Sequence, residues 1–564
     1  MSSALLTIPM QSIIIVAMNI SKKLSALPLV FALVYGSISA QEALKSIEED
    51  YYDFLSLQGL VERPTLNYRT LSDSVWELSE EAQNDARNIW KGKNLGTTRF
   101  INGNKNLSWK IYGPEWYQSF NTAAPYGQND GALWQGRGYN TSLTGGARLQ
   151  AYGVELTLKP QLSFSQNAAF DIIEPHTAYK TSDFAGKAKK YGYYGVPSID
   201  APQRFGNKPF FTFDWGDTEI RYTWKNLTIG FGTQAIWLGP AQINPIMHSN
   251  NAPTYPKFDI GLRKTKIYLP YYDYYLGDIE TRLWWGKLSE SKYFDNDDSN
   301  NNNLISGLSV NYSFPGILRG LSVGVNRTML SKWNDKNIYT VFGIFVPCLS
   351  NLTSGGDDES DQRLSITFDY AIKKVGFEIY LEWAINDHPA SFISFLRDPF
   401  HTAAYTTGIR KNFYFNSNCN GELLLELSDL ESSNDYGRTI PWSTTFYSHH
   451  RVLQGYTNEG QWLGAGIGTG GNSQCLKFSL YNKKSRYEIF IQRKSIDLDY
   501  TWFVKDTNIA DISIGLRMTF ITKNFSLTGG TTGICRLVKT QAAPTGSNEK
   551  KFNISLYMGF SYKF

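Results

Sequence analysis

Cysteine is scarce in this sequence, which contains four in 564 residues: Cys348, Cys419, Cys475 and Cys535. No two of them form a Cys-x-x-Cys pair, and this argues against a structural zinc site and against a thioredoxin-type redox centre. Four cysteines allow three disulfide pairings. Their spacing does not choose among these pairings, nor between disulfides and free thiols.

Long apolar runs and concentrated charge are missing as well. Beyond Ala40, no uncharged apolar stretch reaches the length of a membrane-spanning helix, and the mean hydropathy of the chain is −0.33. The 55 Lys and Arg residues are nearly balanced by 51 Asp and Glu residues, and no basic run is longer than three residues. Because nucleic-acid-binding proteins usually carry a concentrated basic surface, we do not expect nucleic acid as a partner.

Aromatic residues, in contrast, make up 15% of the chain, with 35 Tyr and 15 Trp. The last segment, Asn553 to Phe564, alternates apolar or aromatic residues at even positions with mostly small or polar residues at odd positions. This alternation predicts a strand with one lipid-facing side and one lumen-facing side, as in bacterial outer-membrane barrels, which typically end on such a strand with a terminal Phe. We therefore predict an all-β fold, a transmembrane antiparallel β-barrel in the outer membrane of a Gram-negative-type (diderm) bacterium. Its expected partners include outer-membrane lipid and the barrel-insertion machinery, which would read the strand ending at Phe564.

The N-terminus is typical of an exported protein. Lys22 and Lys23 precede an apolar run from Leu24 to Tyr35, and small residues follow this run. The order predicts a secretory signal peptide over residues 1–40. A second apolar patch precedes Met18. Either translation starts at Met18, or it starts at Met1 and the leader is unusually long.

Residues 41–144 are predicted to form a small periplasmic helical segment and a lead-in to the barrel. The segment Gln41–Leu60 carries apolar residues at helical spacing. A second stretch begins with the capping-box pattern of Ser74 and Glu77 and continues with an apolar stripe to Ile89. Two amphipathic helices need a surface to cover, and we expect them at the periplasmic mouth of the barrel.

From residue 145 to residue 564 the hydrophobic period changes from 3.6 to 2, which indicates strands. Nineteen candidate strands can be counted in the sequence. Because bacterial single-chain barrels use even numbers of strands, we predict about eighteen. The candidates are 147–164 (counted as two), 209–214, 218–224, 227–234, 258–268, 279–289, 304–313, 320–328, 337–346, 363–371, 374–385, 403–413, 421–429, 475–482, 485–493, 510–519, 523–531 and 553–564.

The lengths of the predicted connections alternate along this region. Short turns on one side and long loops on the other are typical of the periplasmic and extracellular ends of such barrels. The predicted tight turns are Gly216-Asp217, Lys225-Asn226 and Lys373-Lys374, and the predicted long loops are 165–207, 235–257, 386–402, 430–474 and 532–551.

Two glycine motifs resemble patterns found in enzymes. Residues Gly320 to Gly324 match the nucleophile-elbow pattern, but that elbow requires a strand-to-helix turn, and here the motif lies inside an alternating strand. Residues Gly466 to Gly471 contain a dinucleotide-type glycine pattern, but a strand follows where a helix is required. We therefore expect no catalytic residue, no cofactor and no metal, and we predict that the protein is not an enzyme.

Two long loops combine aromatic rings with amide side chains. Rings stack on the apolar faces of sugars, and Asn, Gln and His form directional hydrogen bonds with hydroxyls, so these loops are candidate polysaccharide-binding sites. An equally good interpretation is that the same residues fasten the loops to each other inside the barrel. The candidate residues are Trp237, Asn250 and Asn251 in the first loop, and His449, Tyr456 and Trp462 in the second.

The same loops carry a resemblance to a known family. Residues Trp237 to Pro240, followed by Ser249 to Ala252, are similar to the Trp-Gly-Pro and Ser-Asn-Asn-Ala signature of capsule-assembly outer-membrane proteins of the Wzi family, and the segment from His449 to Gly464 also resembles that family. Leu238 and Ala241 depart from it, since the family more often has a second Trp and a Gly nearby. The resemblance covers most of the mature chain. It implies a barrel of about eighteen strands with a periplasmic helical portion, and a lectin-like role in holding exported polysaccharide at the cell surface.

Our first hypothesis from the sequence is an outer-membrane barrel that binds or organises surface (capsular) polysaccharide without catalysing a reaction. The alternative is a diffusion channel or solute-specific porin, which needs the same barrel with an open lumen. An outer-membrane hydrolase would need a Ser or Asp-His pair near one rim, and His449 and His450 have no partner at a diagnostic spacing. The sequence leaves open the polysaccharide, the state of the lumen and the oligomeric state.

Overall fold

Eighteen antiparallel strands close into a β-barrel in the computed structural model of the chain. The model describes residues 46–93, 95, 98–173, 184–194, 196–345, 360–386, 402–431, 446–496, 507–540 and 548–564. The strands are β1 (Asn104–Asn121), β2 (Gly138–Ala151), β3 (Val154–Leu158 with Gln161–Ser165), β4 (Phe210–Asp214 with Glu219–Trp224), β5 (Leu227–Gly232), β6 (Lys257–Leu269), β7 (Tyr274–Ser289), β8 (Asn302–Ser313), β9 (Leu321–Lys332), β10 (Ser360–Ile372), β11 (Phe377–Asn386), β12 (Ala403–Asn416), β13 (Cys419–Asp429), β14 (Asn472–Asn482), β15 (Ser485–Ile496), β16 (Thr507–Ile521), β17 (Phe525–Thr540) and β18 (Asn548–Tyr562). Each strand pairs with its neighbour in sequence, and β18 closes the ring by pairing with β1.

The predicted number of strands, about eighteen, is confirmed, although three differences separate the nineteen candidates from the eighteen strands of the structure. Residues 337–346 were expected to be a strand, but Ile338–Phe342 is helical, because the Asn337 side chain caps it by accepting a hydrogen bond from the Thr340 amide (3.0 Å). The two segments around Gly216 form one strand, β4, since this residue interrupts the strand without reversing it. The strand that is present in the structure but absent from the candidates is β1.

The barrel therefore begins well before residue 145, the boundary expected from the sequence. Both β1 and the first half of β2 lie in the segment predicted as lead-in. The Gly113-Pro114 pair shifts the register of β1 against β2 between Tyr112 and Glu115, and this interrupts the alternation that marks a strand. The predicted long loop 532–551 is also wrong in extent, because β17 continues to Thr540 and β18 starts at Asn548.

The predicted orientation of the last strand is confirmed. Ile554 and Met558 on the outer side of β18 are each 48% exposed, whereas Asn553, Ser555 and Ser561 on the inner side are buried. The same alternation continues on the neighbouring strand β17, where Leu527 faces outward opposite Phe560. The lipid-facing surface of the barrel is therefore apolar, as an outer-membrane location requires.

Met558 lies near the middle of the lipid-facing side of β18, so a charge there should be costly. Met558→Arg should lower the free energy of unfolding by roughly 2–4 kcal/mol, the cost of Arg or Lys at the bilayer midplane. The check is urea titration of the barrel refolded in lipid vesicles, with Met558→Leu as the matched control. Equal stability of the Arg and Leu variants would mean that this side of β18 does not face lipid.

The connections divide the barrel into two distinct ends. The short-turn end carries connections of two to seven residues, including the predicted turns at Lys225-Asn226 and Lys373-Lys374, and the long-loop end carries all the others. In outer-membrane barrels the short turns are periplasmic and the long loops are extracellular. Gly216-Asp217 is a strand interruption and not one of these turns.

The N-terminal segment contains one of the two predicted helices in full form. Helix α1 (Ile47–Leu57) begins at Ser46, whose hydroxyl accepts a hydrogen bond from the Glu49 amide (2.9 Å). The predicted capping box at Ser74 is wrong, because the Ser74 hydroxyl donates to the Thr70 carbonyl instead (2.7 Å). Only a short helix, α2 (Glu80–Asn84), forms in that stretch. Residues 41–45 and the predicted signal peptide lie outside the described residues.

The N-terminal segment packs at the short-turn end of the barrel, where the helices were expected. Tyr51 and Trp90 stack at 4.3 Å between ring centroids, and both form one buried cluster with Tyr481 at the end of β14 and Ile521 at the end of β16. The Trp90 indole also donates a hydrogen bond to the Asn482 carbonyl (2.7 Å). The segment is thus attached to the inner wall at the short-turn end of the barrel.

Within the described residues, no helix is long and apolar enough to cross a membrane. In the same residues no disulfide joins Cys419 in β13, Cys475 in β14 or Cys535 in β17. Cys348 lies outside them.

Candidate functional site

Three of the connections that fold inward at the long-loop end form the candidate site. We call them loop A (residues 233–256), loop B (residues 446–471) and loop C (residues 122–137). A continuous hydrophobic core inside the barrel joins loops A and B to the inner wall; it includes Ile236, Ile246 and Met247 of loop A, Tyr447, Tyr456 and Leu463 of loop B, and Trp284, Ile305, Leu330 and Ala384 of the wall. The lumen at this level is therefore filled with packed side chains.

Carboxylates of the inner wall hold loop A in place. Glu426 on β13 accepts hydrogen bonds from the backbone amides of residues Gln242 to Asn244, at 2.6 to 3.1 Å. Glu382 on β11 accepts one from the Ile246 amide (2.8 Å). Backbone amides buried away from water need such partners, so these carboxylates both satisfy and position the loop.

Loops A and B are fastened to each other by several hydrogen bonds. The Ser249 amide donates to the Leu463 carbonyl (2.7 Å), and the Tyr447 hydroxyl donates to the Ile246 carbonyl (2.7 Å). Gly466 of loop B sits so close to loop A that a Cβ there would lie 2.6 Å from the Asn251 Oδ1 atom. The glycine-rich stretch therefore allows the close approach of loops A and B.

Three of the predicted site residues hold loops A and B in shape, Tyr456 by a bond between the loops and Trp237 and His449 by bonds within their own loops. Trp237 is fully buried, and its indole donates to the Ala241 carbonyl (3.0 Å). Tyr456 is fully buried, donates to the Met247 carbonyl (2.7 Å) and lies under a guanidinium group 4.4 Å from its ring centre. His449 is buried and accepts a hydrogen bond from the Val452 amide (3.2 Å). In this structure none of these three rings is placed to stack on a sugar.

The other three predicted residues lie nearer the outside. Asn250 is buried next to loop C, and its carbonyl accepts a hydrogen bond from the Gly131 amide (2.8 Å). Asn251 donates from its side chain to the Trp462 carbonyl (3.2 Å). Trp462 is only partly buried, and both Asn251 and Trp462 line a cavity at the long-loop end.

This cavity, which we call the outer cavity, has a volume of about 610 Å³ and lies between loops A, B and C and the long-loop ends of β15 to β18. Its wall combines aromatic rings with amide side chains. The rings are Tyr126, Trp134, Phe170, Tyr193, Tyr194, Trp462 and Phe552, and the amides are Gln128, Gln135, Gln203, Asn251, Gln461 and Asn553.

The charges in the outer cavity are unequally neutralised. Asp511 and Arg536 form a double hydrogen bond, with both distances 2.8 Å. Lys494 and Arg137 also line the cavity, and neither has a carboxylate partner within 4 Å among the described residues. The cavity is thus polar and slightly basic at its wall, with flat apolar rings between the charges.

Asp130 of loop C is a buried carboxyl that lines the outer cavity. Burial raises its pKa to about 7, even though hydrogen bonds from the Gln135 side chain and the Gln128 amide act in the opposite direction. The folded protein therefore holds this proton more tightly than the unfolded chain does.

Stability should consequently fall as the pH rises from about 4 to about 7, through the range in which the unfolded carboxyl ionises before the folded one. Asp130→Asn should remove this part of the pH dependence. The check is the urea midpoint of both proteins between pH 4 and pH 8. Parallel curves would show that Asp130 ionises normally in the folded state.

Several residues of the outer cavity were not anticipated from the sequence. Tyr126, Gln128, Trp134 and Gln135 belong to loop C, which was assigned to the lead-in because β1 was not recognised. The signal was present, since loop C has the same mixture of rings and amides as loops A and B. Tyr193 and Tyr194 lie in the long β3–β4 connection, where spacing gives no indication of what they face.

Comparison with protein families identifies the chain. The sequence model of the family described as "Capsule assembly protein Wzi" matches residues 123–529, which is well over half of the chain. The chain belongs to this family. The segments of loops A and B that carry the resemblance noted in the sequence are the ones that form hydrogen bonds with each other. A comparison with curated protein sequences gave no match.

The fold agrees with this assignment. The structure is similar to that of Wzi from Escherichia coli, with a TM-score of 0.55 and 13% sequence identity over 93% of this chain and 100% of that chain. OccAB2 of Acinetobacter baumannii aligns over 82% of this chain and 99% of its own, with a TM-score of 0.38 and 10% identity. OprB of Pseudomonas putida aligns over 81% and 94%, with a TM-score of 0.35 and 9% identity. The protein is an outer-membrane β-barrel of a Gram-negative bacterium.

Proposed function

We propose that this barrel binds surface polysaccharide in the outer cavity and acts as a non-catalytic, lectin-like member of the capsule-assembly family. The observation that carries the proposal is the composition of the cavity wall, in which Trp462, Trp134 and Tyr193 alternate with amides such as Asn251 and Gln135. Flat rings contact the apolar faces of pyranose rings, and amides bind their hydroxyls. The Escherichia coli relative is described as a carbohydrate-binding β-barrel involved in group 1 capsule assembly.

The position of the cavity supports a surface ligand. It opens among the long loops, which face the outside in this class of barrel. Trp462 is braced by Tyr193, with 5.0 Å between ring centroids in an edge-to-face arrangement, so its orientation is fixed before a ligand arrives. Weak contacts of this kind gain strength on a polymer, since many chains and many repeats can bind at once.

The filled lumen favours binding over the porin alternative. Porins with sixteen to eighteen strands keep an aqueous channel, because few side chains reach the axis of so wide a barrel. Here loops A and B, with the N-terminal segment, occupy the interior and form buried cores with the wall. The position of His449 does not support the hydrolase alternative, since its buried ring contacts backbone amides of its own loop.

The proposal is tested by retention of the purified barrel on immobilised polysaccharide from the producing bacterium. Trp462→Ala should weaken binding about three- to tenfold, as expected for the loss of one stacking contact. Binding is measured per folded molecule, with the folded fraction taken from heat modifiability on gels.

Trp237→Ala is the matched control from loop A. Since Trp237 is buried and closes the loop, its loss should cost about 3–5 kcal/mol of stability and reduce the folded yield. Binding per folded molecule should stay unchanged. If both variants bind as tightly as the wild type, the outer cavity is not the polysaccharide site.

A further inference from the structure

A second and larger cavity lies at the opposite end of the barrel. This inner cavity has a volume of about 1060 Å³ and is enclosed by the N-terminal segment on one side and by the inner wall of β1, β2 and β3 on the other. Exposed residues of the N-terminal segment, including Glu77, Asn84 and Lys91, form its rim. It therefore opens at the short-turn end, toward the periplasm.

Aromatic rings form one side of the inner cavity. Trp76 and Tyr52 of the N-terminal segment lie 5.9 Å apart between ring centroids, and both line the cavity. The Trp76 indole donates a hydrogen bond to the Glu49 carboxyl (2.6 Å), which fixes the orientation of its ring. Amide side chains of Gln83 and Gln150 line the same space. Rings and amides are the groups that recognise pyranose rings and their hydroxyls.

Most charges deep in the inner cavity are neutralised within the protein. Lys110 on β1 lies 3.1 Å from Glu48, and Arg148 on β2 lies 2.6 Å from Glu155. Burial raises the pKa of Glu49 to about 8, so this carboxyl is mostly protonated at neutral pH. The deep part of the cavity therefore carries little net charge.

The rim, in contrast, carries two cations without carboxylate partners. Within the described residues, neither Lys91 nor Lys93 has a carboxylate within 4 Å; their ammonium groups donate to the Asn84 carbonyl (3.4 Å) and the Ile521 carbonyl (3.2 Å). Glu77 is the opposing charge that lines the rim, while Asp85, which also attracts Lys91, is paired with Arg87 (2.8 Å). Two cations against one anion favour a ligand with negative substituents, since charge complementarity steers such ligands.

We propose that the inner cavity is a second glycan site, which takes a pyranose chain carrying carboxylates on the periplasmic side of the membrane. The inference extends the proposed function and rests on it for the ligand class. Two sources in the periplasm have this chemistry: an exported polysaccharide with acidic sugars, and the glycan strands of the cell wall. The rings around Trp76 bind the sugar faces, and Lys91 and Lys93 bind the carboxylates.

The test is calorimetric titration of the full chain in lipid nanodiscs with a hyaluronan octasaccharide, an acidic pyranose chain of alternating uronic acid and N-acetylhexosamine. A neutral chitin octasaccharide serves as the comparison ligand. Trp76→Leu and Lys91→Glu should each weaken binding of the acidic probe about tenfold. Lys91 is exposed and belongs to no buried core, so Lys91→Glu tests the site even if Trp76→Leu folds poorly.

The matched controls are Lys225→Glu, which changes an exposed charge in a different short turn, and Trp462→Ala in the outer cavity. Neither should affect binding at the inner cavity. If Trp462→Ala abolishes all binding and the inner-cavity variants change nothing, the inference is wrong while the proposed function stands. If only the inner-cavity variants weaken binding, the inference stands and the outer cavity is not a binding site for this glycan.

A last arm separates the two sources of the ligand. Cell-wall glycan strands stripped of their peptides replace hyaluronan in the titration. Tighter binding of these strands would assign the inner cavity to the cell wall, and tighter binding of hyaluronan would assign it to an acidic exported chain. If neither acidic probe binds more tightly than neutral chitin, the lysines do not recognise carboxylates and the inference is overturned.

Discussion

Replacing Arg410 by Met should lower the free energy of unfolding by roughly 3–5 kcal/mol, one of the largest effects expected for a single residue here. Arg410 is buried on the inner face of β12, and its guanidinium lies 2.6 Å from Asp53 of α1, 2.8 Å from Glu378 and 2.9 Å from Glu422. Its loss would leave carboxylates buried with too few cations. It would also loosen α1, since the Asp53 ion pair is one of the contacts between the helix and β12, beside the hydrogen bond that the Asn412 side chain donates to the Phe54 carbonyl (2.8 Å).

The pH dependence of this effect follows from the pKa of Asp53. Burial raises that pKa, but attraction by Arg410 and Arg63 outweighs burial and holds the pKa well below its ordinary value. The stabilisation is therefore complete above the pKa of the unfolded carboxyl and is lost as the pH falls. The difference between Arg410→Met and wild type should be largest at neutral pH and shrink below about pH 4.

Urea titrations at pH 7 and pH 4 check this prediction. Arg319→Met, which removes an exposed arginine from a short turn at the same end, is the control and should change stability by no more than about 0.5 kcal/mol. Equal midpoints for Arg410→Met and the control at pH 7 would show that the buried charge cluster does not hold the N-terminal segment.

The largest functional change should follow from removing the two inward loops and the N-terminal segment together. A variant that lacks the N-terminal segment (residues 46–93) and in which short Gly-Ser links replace residues 235–254 and 446–468 should conduct ions in planar bilayers, whereas the wild type should not. Both loop deletions are geometrically permitted, because the strands they join are already paired at that level: Lys257 lies opposite Gly232, and Asn472 lies opposite Asp429. An eighteen-stranded barrel without its inward loops is wide enough for an aqueous channel.

The matched control shortens a connection that lies outside the lumen. The helix Ile338–Phe342 packs on the outer wall, where the Trp285 indole donates to the Val341 carbonyl (2.8 Å), so deleting residues 335–343 should leave the barrel closed. Steady conductance of the wild type, equal to that of the variant without the loops and the N-terminal segment, would favour the porin alternative.

The barrel was largely predictable from the sequence, and the reason is physical. A strand between lipid and lumen must alternate, so Ile554 to Phe564 could be assigned to the correct faces from residue types alone. The prediction failed where alternation is locally broken, at Gly113-Pro114 in β1, and where a side-chain cap overrides a strand-like run, at Asn337. Local composition cannot show these effects, because they depend on register and on one hydrogen bond.

The candidate site was predictable only in part. One of the two interpretations from the sequence, that residues of loops A and B fasten the loops to each other inside the barrel, agrees with the hydrogen bonds between them. The sequence could not separate residues that face a cavity from residues that fasten the loops. Trp237 and Trp462 look alike in sequence, yet one is fully buried and the other lines the outer cavity. That difference depends on how loops A and B are placed inside the barrel. Their placement depends in turn on wall residues such as Glu426, which are distant in the chain.

The most direct measurement is a structure of the full chain with an oligosaccharide cut from the polysaccharide of the producing bacterium. The account predicts sugar density in the outer cavity, with one pyranose ring within about 4 Å of the Trp462 indole and hydroxyls within hydrogen-bond distance of the Gln128 or Gln135 amides. An empty outer cavity, with the oligosaccharide bound only elsewhere on the barrel, would contradict it.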